Sequence, residues 1–140
     1  MPEEKVKKER KYFPSFSELC DRLVITQLKE FLIPEHRDKY AEEIKQIMND
    51  IDINIEEHDV KLDAKLVRAL MLLVVYNREI WLNEANCRKG LKEGNDLSKS
   101  HALNSGRAVC KNKIQEKIGG RLDYKVDNAA EYPEWIPSWD

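Results

Sequence analysis

Apolar residues recur at steps of three and four along four stretches of the chain, and the longest run lies in the middle. From Leu62 to about Leu91 the sequence reads LDAKLVRALMLLVVYNREIWLNEANCRKGL. Leu62, Leu66, Ala69, Leu70, Leu73, Val74, Ile80 and Trp81 fall on that period, the spacing of one buried helical face. Asp63, or Asp59 if the helix begins earlier, is placed to cap the start. Gly90 and Gly94 are placed to end it. About 30 residues at ~1.5 Å each make a rod of roughly 45 Å, long enough to reach every other helix. Residues 69–76 (ALMLLVVY) are apolar on all sides, which predicts neighbours all round the middle of the rod. The run is too short for a membrane span, which takes about 20 apolar residues.

The same stripe continues through Asn77, Glu84 and Arg88. Asn77 and Glu84, seven apart, share a face two turns from each other. A polar side chain on an inward stripe costs a few kcal/mol, on the order of a lost hydrogen bond or more, unless it is paired. These positions therefore need mates. They form either a network that fixes helix register or the wall of a site.

The flanking stretches read as three further helices. Ser15 with Glu18 three residues on is a capping box, and Phe13 with Phe16 or Leu19 can clasp the first turn. The helix behind it buries Phe16, Leu19, Cys20, Leu23, Val24, Leu28, Phe31 and Leu32, with Asp21 and Arg22 on the flank as a solvated pair or the rim of a polar pocket. Pro34 suits the first turn of a second helix, where its missing N–H is harmless. Tyr40, Ile44, Ile47, Met48, Ile51 and Ile55 mark its stripe. Residues 56–60 make a turn, and the first two helices form an antiparallel hairpin because their link is short. A loop at 90–98 precedes a fourth helix, capped by Asp96 or Ser98, with a thin stripe of Leu97, Leu103, Ala108, Cys110, Ile114 and Ile118. Gly106 permits close approach to the rod, and Gly119-Gly120 stop the helix.

Charge sharpens this layout. Residues 34–59 carry nine Asp/Glu against three Lys/Arg, whereas residues 96–118 carry five Lys/Arg against two Asp/Glu. The basic fourth helix is therefore expected near the acidic second, and Glu84 is expected to meet Arg107 or Lys111. Asn104, Arg107, Lys111 and Asn112 interleave with the fourth stripe. Residues 1–12 form a charged, mildly basic arm, and residues 13–120 the helical domain. Residues 121–140 form an irregular tail whose Tyr124, Tyr132, Trp135 and Trp139 are costly to leave in water. The tail either packs on its own bundle or docks on another chain, with Tyr132, Trp135 and Trp139 as anchors.

Composition bounds the rest. The chain has 140 residues, enough for one core. It is 41% hydrophobic and 36% charged with five Gly and five Pro, which suits an all-α protein and argues against a sheet. A net charge of −2 gives no pull toward nucleic acid or membrane. The N-terminus lacks the apolar core of a signal peptide, and Cys20, Cys87 and Cys110 form no CxxC pair, so they read as reduced thiols in a cytoplasmic setting.

No catalytic constellation stands out. His36, His58 and His101 lie on separate elements, away from any second ligand at metal spacing, and no cofactor is implied. There is no GxxxxGK[ST] and no GxGxxG. All-helical nucleotide pyrophosphohydrolases hold magnesium with paired acids one turn apart on two helices. Here Glu42/Glu43 could serve on the second helix, but Glu79 and Glu84 are five apart, which turns one away from the other.

The segments SFSELCDRLVITQLK (15–29), NREIWLNEANCRKG (77–90) and NSGRAVCKNKIQEKIG (104–119) resemble three blocks of a family of small all-helical proteins. That family occurs in tailed phages, including marine cyanophages, and in bacteria, often near or fused to glycosyltransferase and tetratricopeptide genes. The chain departs from the bacterial pattern at SHALNSGRAV, and the arm and aromatic tail lie outside the match. The resemblance implies a helical fold, a phage or bacterial cytoplasm or a virion, and no particular activity. It places Asp21, Asn77, Glu84, Arg88, Arg107, Asn112 and Lys113 in the family's polar positions, which implies a shared inward network.

The sequence thus predicts a four-helix, bundle-like array with a long central third helix. The leading functional expectation is a non-enzymatic accessory protein that binds itself or another protein. The rival is a small-molecule or phosphate site built from Asn77, Glu84, Arg88, Arg107 and Lys111, where the cationic pair could hold an anion.

Overall fold

A capped serine starts the first helix, as the pattern predicts. The computed structural model describes residues 13–90, 97–118 and 137–139. Ser15 Oγ accepts from the Glu18 N–H at 3.2 Å, and α1 runs Phe16–Leu32. A single 3-10 turn, Pro34–His36, with Pro34 at its head, leads into α2, Arg37–His58. Asp59 ends α2 in the left-handed conformation at φ 49°, a position that a short Asp side chain tolerates better than a branched one. Asp63 caps α3, Ala64–Arg88, by accepting from the Leu66 N–H at 2.8 Å. Helix α4 spans Leu97–Gln115. The fold is all-α and bundle-like, and the described residues contain no strand. Ser98 falls inside α4, one residue past its first, and so is not the residue before the helix that a cap must be. The expected arm at 1–12, Gly94, the Asp96 cap, the Gly119-Gly120 stop, and Tyr124, Tyr132 and Trp135 lie outside what is described.

The helices form two antiparallel pairs, α1 with α2 and α3 with α4, and α1 also packs on both members of the second pair. Helix α1, not the longer α3, is therefore the element that touches all the others. Helix α2 packs on α1 and on no other helix, so the basic α4 does not lie beside the acidic α2. The charge argument failed because opposite charges on exposed faces gain little in water, while apolar faces decide which helices meet.

Within α3, Leu66, Ala69, Leu73, Tyr76, Ile80 and Asn83 are buried and alternate by three and four. This is a narrow heptad seam, matched to α4 on one side. It explains a second correction. The apolar centre of α3 is not surrounded, because among the described helices only α1 and α4 pack on it. Met71 is 64% exposed and Val75 51%, Val74 also faces out, and Leu62 lies before the helix in solvent. On α1, Phe16, Leu19, Cys20 and Val24 are buried, but Phe31 and Leu32 at the far end are exposed, as is Phe13 before the cap. The expected clasp by Phe13 is absent for that reason. Helix α3 is unbroken past Tyr76 and at 25 residues measures roughly 37 Å.

The end of the α3–α4 pair where α3 starts and α4 stops is tied. Asp63 receives Lys117 as well as capping α3, and the Lys117 hydrogen bond is the main cause that holds its carboxyl below the ordinary value. Arg68 donates through Nε and Nη2 to the Ser138 carbonyl at 3.1 and 2.7 Å. Trp139 packs on the core with Lys113 Nζ 5.7 Å from its ring centroid. The end of the tail thus lies on its own bundle.

Gly106 of α4 lies directly against the Tyr76 ring of α3. A Cβ there would sit 2.2 Å from Tyr76 Cε1 and 2.3 Å from Cζ. Alanine is normally the better helix residue by about 1 kcal/mol. The packed ring makes the clash dominate, since overpacking a core costs roughly 1–3 kcal/mol or more. Gly106→Ala is expected to lower the urea midpoint despite its higher helix propensity; an unchanged or raised midpoint would show the ring can move aside.

Candidate functional site

Three helices contribute one polar side chain each to the junction where the two pairs meet. Asn77 of α3 is 3% exposed. Its Nδ2 donates to Asp21 Oδ1 of α1 at 2.8 Å and to the Leu73 carbonyl at 3.0 Å. Its Oδ1 accepts from Arg107 Nη1 of α4 at 3.3 Å. The amide stands between a carboxylate and a guanidinium that do not themselves touch, and it satisfies both with opposite ends. Asp21 is therefore buried on the α1 face that meets α3, while Arg22 beside it is exposed. The expected solvated Asp21–Arg22 pair is corrected: one residue is a 100° step on a helix, enough to put neighbours on different faces.

The other expected members of this cluster part company. Glu84 and Arg88 are exposed on α3, and Glu84 makes no ion pair with Arg107 or Lys111. The seam turns through Ile80 and Asn83, and its period of 3.5 carries Glu84 off the buried side. Lys111, Asn112 and Lys113 are half-buried on α4. The residues brought together are thus Asp21, Asn77 and Arg107.

Sequence reasoning missed three other inward polar groups. Asn83 Nδ2 donates to Ser100 Oγ at 2.5 Å, and Asn83 Oδ1 is buried without a partner. Gln115 Oε1 accepts from the Ser17 N–H at 3.2 Å, so the end of α4 caps a free donor in the first turn of α1. Thr26 Oγ1 donates back to the Arg22 carbonyl at 2.7 Å. The signal for Asn83 was present, since it follows Tyr76 by seven. Gln115 gave none, because a partner 98 residues away leaves no local spacing.

The chemistry open to this junction is limited. Cys20 and Cys110 are both free and buried, and burial first, then the nearby Asp21 charge, pushes each thiol up to about 12. A thiol held protonated is a poor nucleophile. Tyr76 is also pushed up to about 12, mainly by burial. Among the described residues, no group of three or more His, Cys, Asp or Glu is placed to hold a metal ion. Glu42 and Glu43 cannot converge with Glu79 and Glu84, because α2 and α3 do not pack together. A shallow depression lined by Pro34 to Lys39 includes none of the junction residues. No described helix is long and apolar enough to cross a membrane.

Asn77→Ala removes a donor to a buried carboxylate oxygen, and is expected to cost roughly 2 kcal/mol in urea unfolding. A loss below a few tenths would mean water replaces the amide. Cys87, which is exposed, should react fast with a thiol reagent in the native protein, and Cys20 and Cys110 only on unfolding. The raised thiols also fix the sign of an alkaline effect. An unfolded thiol ionises near 9.0 and the folded one near 12, so the unfolded state sheds protons first as pH rises. Their contribution is present below pH 9 and lost between 9 and 12. In reducing buffer, the melting temperature should fall more steeply above pH 9 for the natural chain than for Cys20→Ala/Cys110→Ala.

Comparison with family models, curated proteins and solved structures finds no match to this chain.

Proposed function

We propose that this chain is a non-enzymatic interaction protein that binds itself or another polypeptide. The observation that supports this reading is where the two kinds of side chain sit. The inward polar groups at the helix junction are engaged with one another, Asp21 and Arg107 through Asn77. Large apolar side chains, by contrast, stand in solvent on three helices: Phe31 at 79% exposure, Met48, Met71, Val74 and Val75. Apolar groups left outside a fold gain by being covered.

The rival anion site loses its support. Arg107 is committed to Asn77, and Glu84 and Arg88 face solvent away from it. A magnesium-dependent pyrophosphohydrolase would need acids from two helices that are not neighbours in this fold. The resemblance to small helical phage and bacterial proteins accords with an accessory protein encoded by a phage and acting in the host cytoplasm or the virion.

Two measurements test the proposal. Sedimentation velocity across a wide concentration range, on the full chain and on residues 1–120, together with cross-linking to polypeptides in solution, should give assembly or cross-links that map to the exposed apolar faces. A thermal-shift screen with nucleotides and sugar phosphates, with and without magnesium, should give no saturable shift. A ligand at 100 times its Kd adds ~2.7 kcal/mol. Such a stabilisation, accompanied by turnover of that ligand, would overturn the proposal.

A further inference from the structure

Helix α2 is 22 residues long and buries none of them, although its sequence carries a full apolar stripe. Among the described helices it rests on α1 alone. The residues turned to α1 (Tyr40, Ile44, Ile47, Ile51) are half-covered, and one flank of the stripe stays open. On that flank Met48 is 51% exposed and Ile55 38%, seven residues apart and so on one line along the helix. The stripe is wide enough for two neighbours and has one.

Charge says what kind of neighbour fits the open side. From Gln46 to Asp59 there are five acids (Asp50, Asp52, Glu56, Glu57, Asp59) and no Lys or Arg. All five are exposed, and none forms an ion pair with another described residue. Asp52 and Glu56, four apart, border the Met48–Ile55 line. The chain's own basic helix does not supply the match. In α4 the apolar residues Ala102, Leu103, Ala108, Cys110 and Ile114 are spent in the core, so the basic helix of a second copy offers charge but no apolar face.

We infer that the Met48–Ile55 flank of α2 is a docking surface for a basic amphipathic helix of another protein. This rests on the interaction reading above and names its surface and the partner's chemistry. Apolar side chains of the incoming helix lie along Ile44, Met48 and Ile55, and its Lys or Arg residues reach Asp52 and Glu56. Apolar contact supplies affinity, and the acidic border supplies orientation and speeds association.

The probe is a fluorescent 18-residue peptide of Leu and Lys at helical amphipathic spacing, titrated into the full chain and followed by polarisation. Two control peptides carry Glu in place of Lys, or the same composition scrambled. Saturable binding of the first peptide alone, weakened by salt, is expected. Met48→Asn/Ile55→Asn should weaken it at least ten-fold, and Asp52→Asn/Glu56→Gln should flatten the salt dependence. A double substitution of two acids away from the flank, Glu18→Gln/Glu30→Gln, should leave binding unchanged. Melting temperatures of the α2 variants should stay near that of the natural chain, since none of the altered side chains is buried.

Equal binding of the scrambled peptide, or an undiminished Kd in Met48→Asn/Ile55→Asn, overturns the inference. So does a self-association that the same pair of substitutions abolishes, because that would assign the flank to a second copy. If sedimentation or cross-linking finds assembly while the α2 variants bind the peptide as before, the docking surface fails and the broader interaction proposal stands.

Discussion

A buried carboxylate must be answered, and in this protein one amide does it. Asp21 lies on the inner face of α1, where an unpaired charge would cost more than the marginal stability of a chain this size can spare. Asn77 meets it with a donor and turns its acceptor to Arg107. The three side chains come from three helices, so the bond pattern works in one register of α1 against the α3–α4 pair. A shift of either helix by one turn, about 5.4 Å, strands a charge. Apolar packing around it, from Phe16 to Ile114, tolerates small slips far better than this contact does.

The helices were legible in the sequence because each has local causes. Ser15 and Asp63 cap where short polar residues precede an apolar period, and Gly106 sits where two backbones close on Tyr76. The arrangement was less legible. An all-apolar segment such as 69–76 says that a helix can bury every side, not that the fold supplies enough neighbours to do so. Length also misled: α3 is the longest described helix, yet the shorter α1 touches the other three, because it begins beside the end of α4 and runs between α2 and the α3–α4 pair.

The polar junction was half legible for a related reason. Asn77 lay on the stripe and could be placed, but Glu84 shared that stripe only if the helix kept a straight 3.6 period. The seam tightens toward 3.5 and takes Asn83 inward instead. Asp21 could be found only from its partner. Long-range bonds such as Ser17 to Gln115 leave no trace in spacing at all.

Helix α2 has one consequence for how the molecule comes apart. It is fastened along a single side, between a 3-10 turn and a largely exposed five-residue link, with no side chain sealed from water. Its local opening free energy lies well below that of the α3–α4 seam, so α2 detaches as its own cooperative segment while the remaining three helices hold. Amide protons in α2 therefore exchange through this partial opening rather than through global unfolding, and the same opening frees the backbone near Asp59 for a protease.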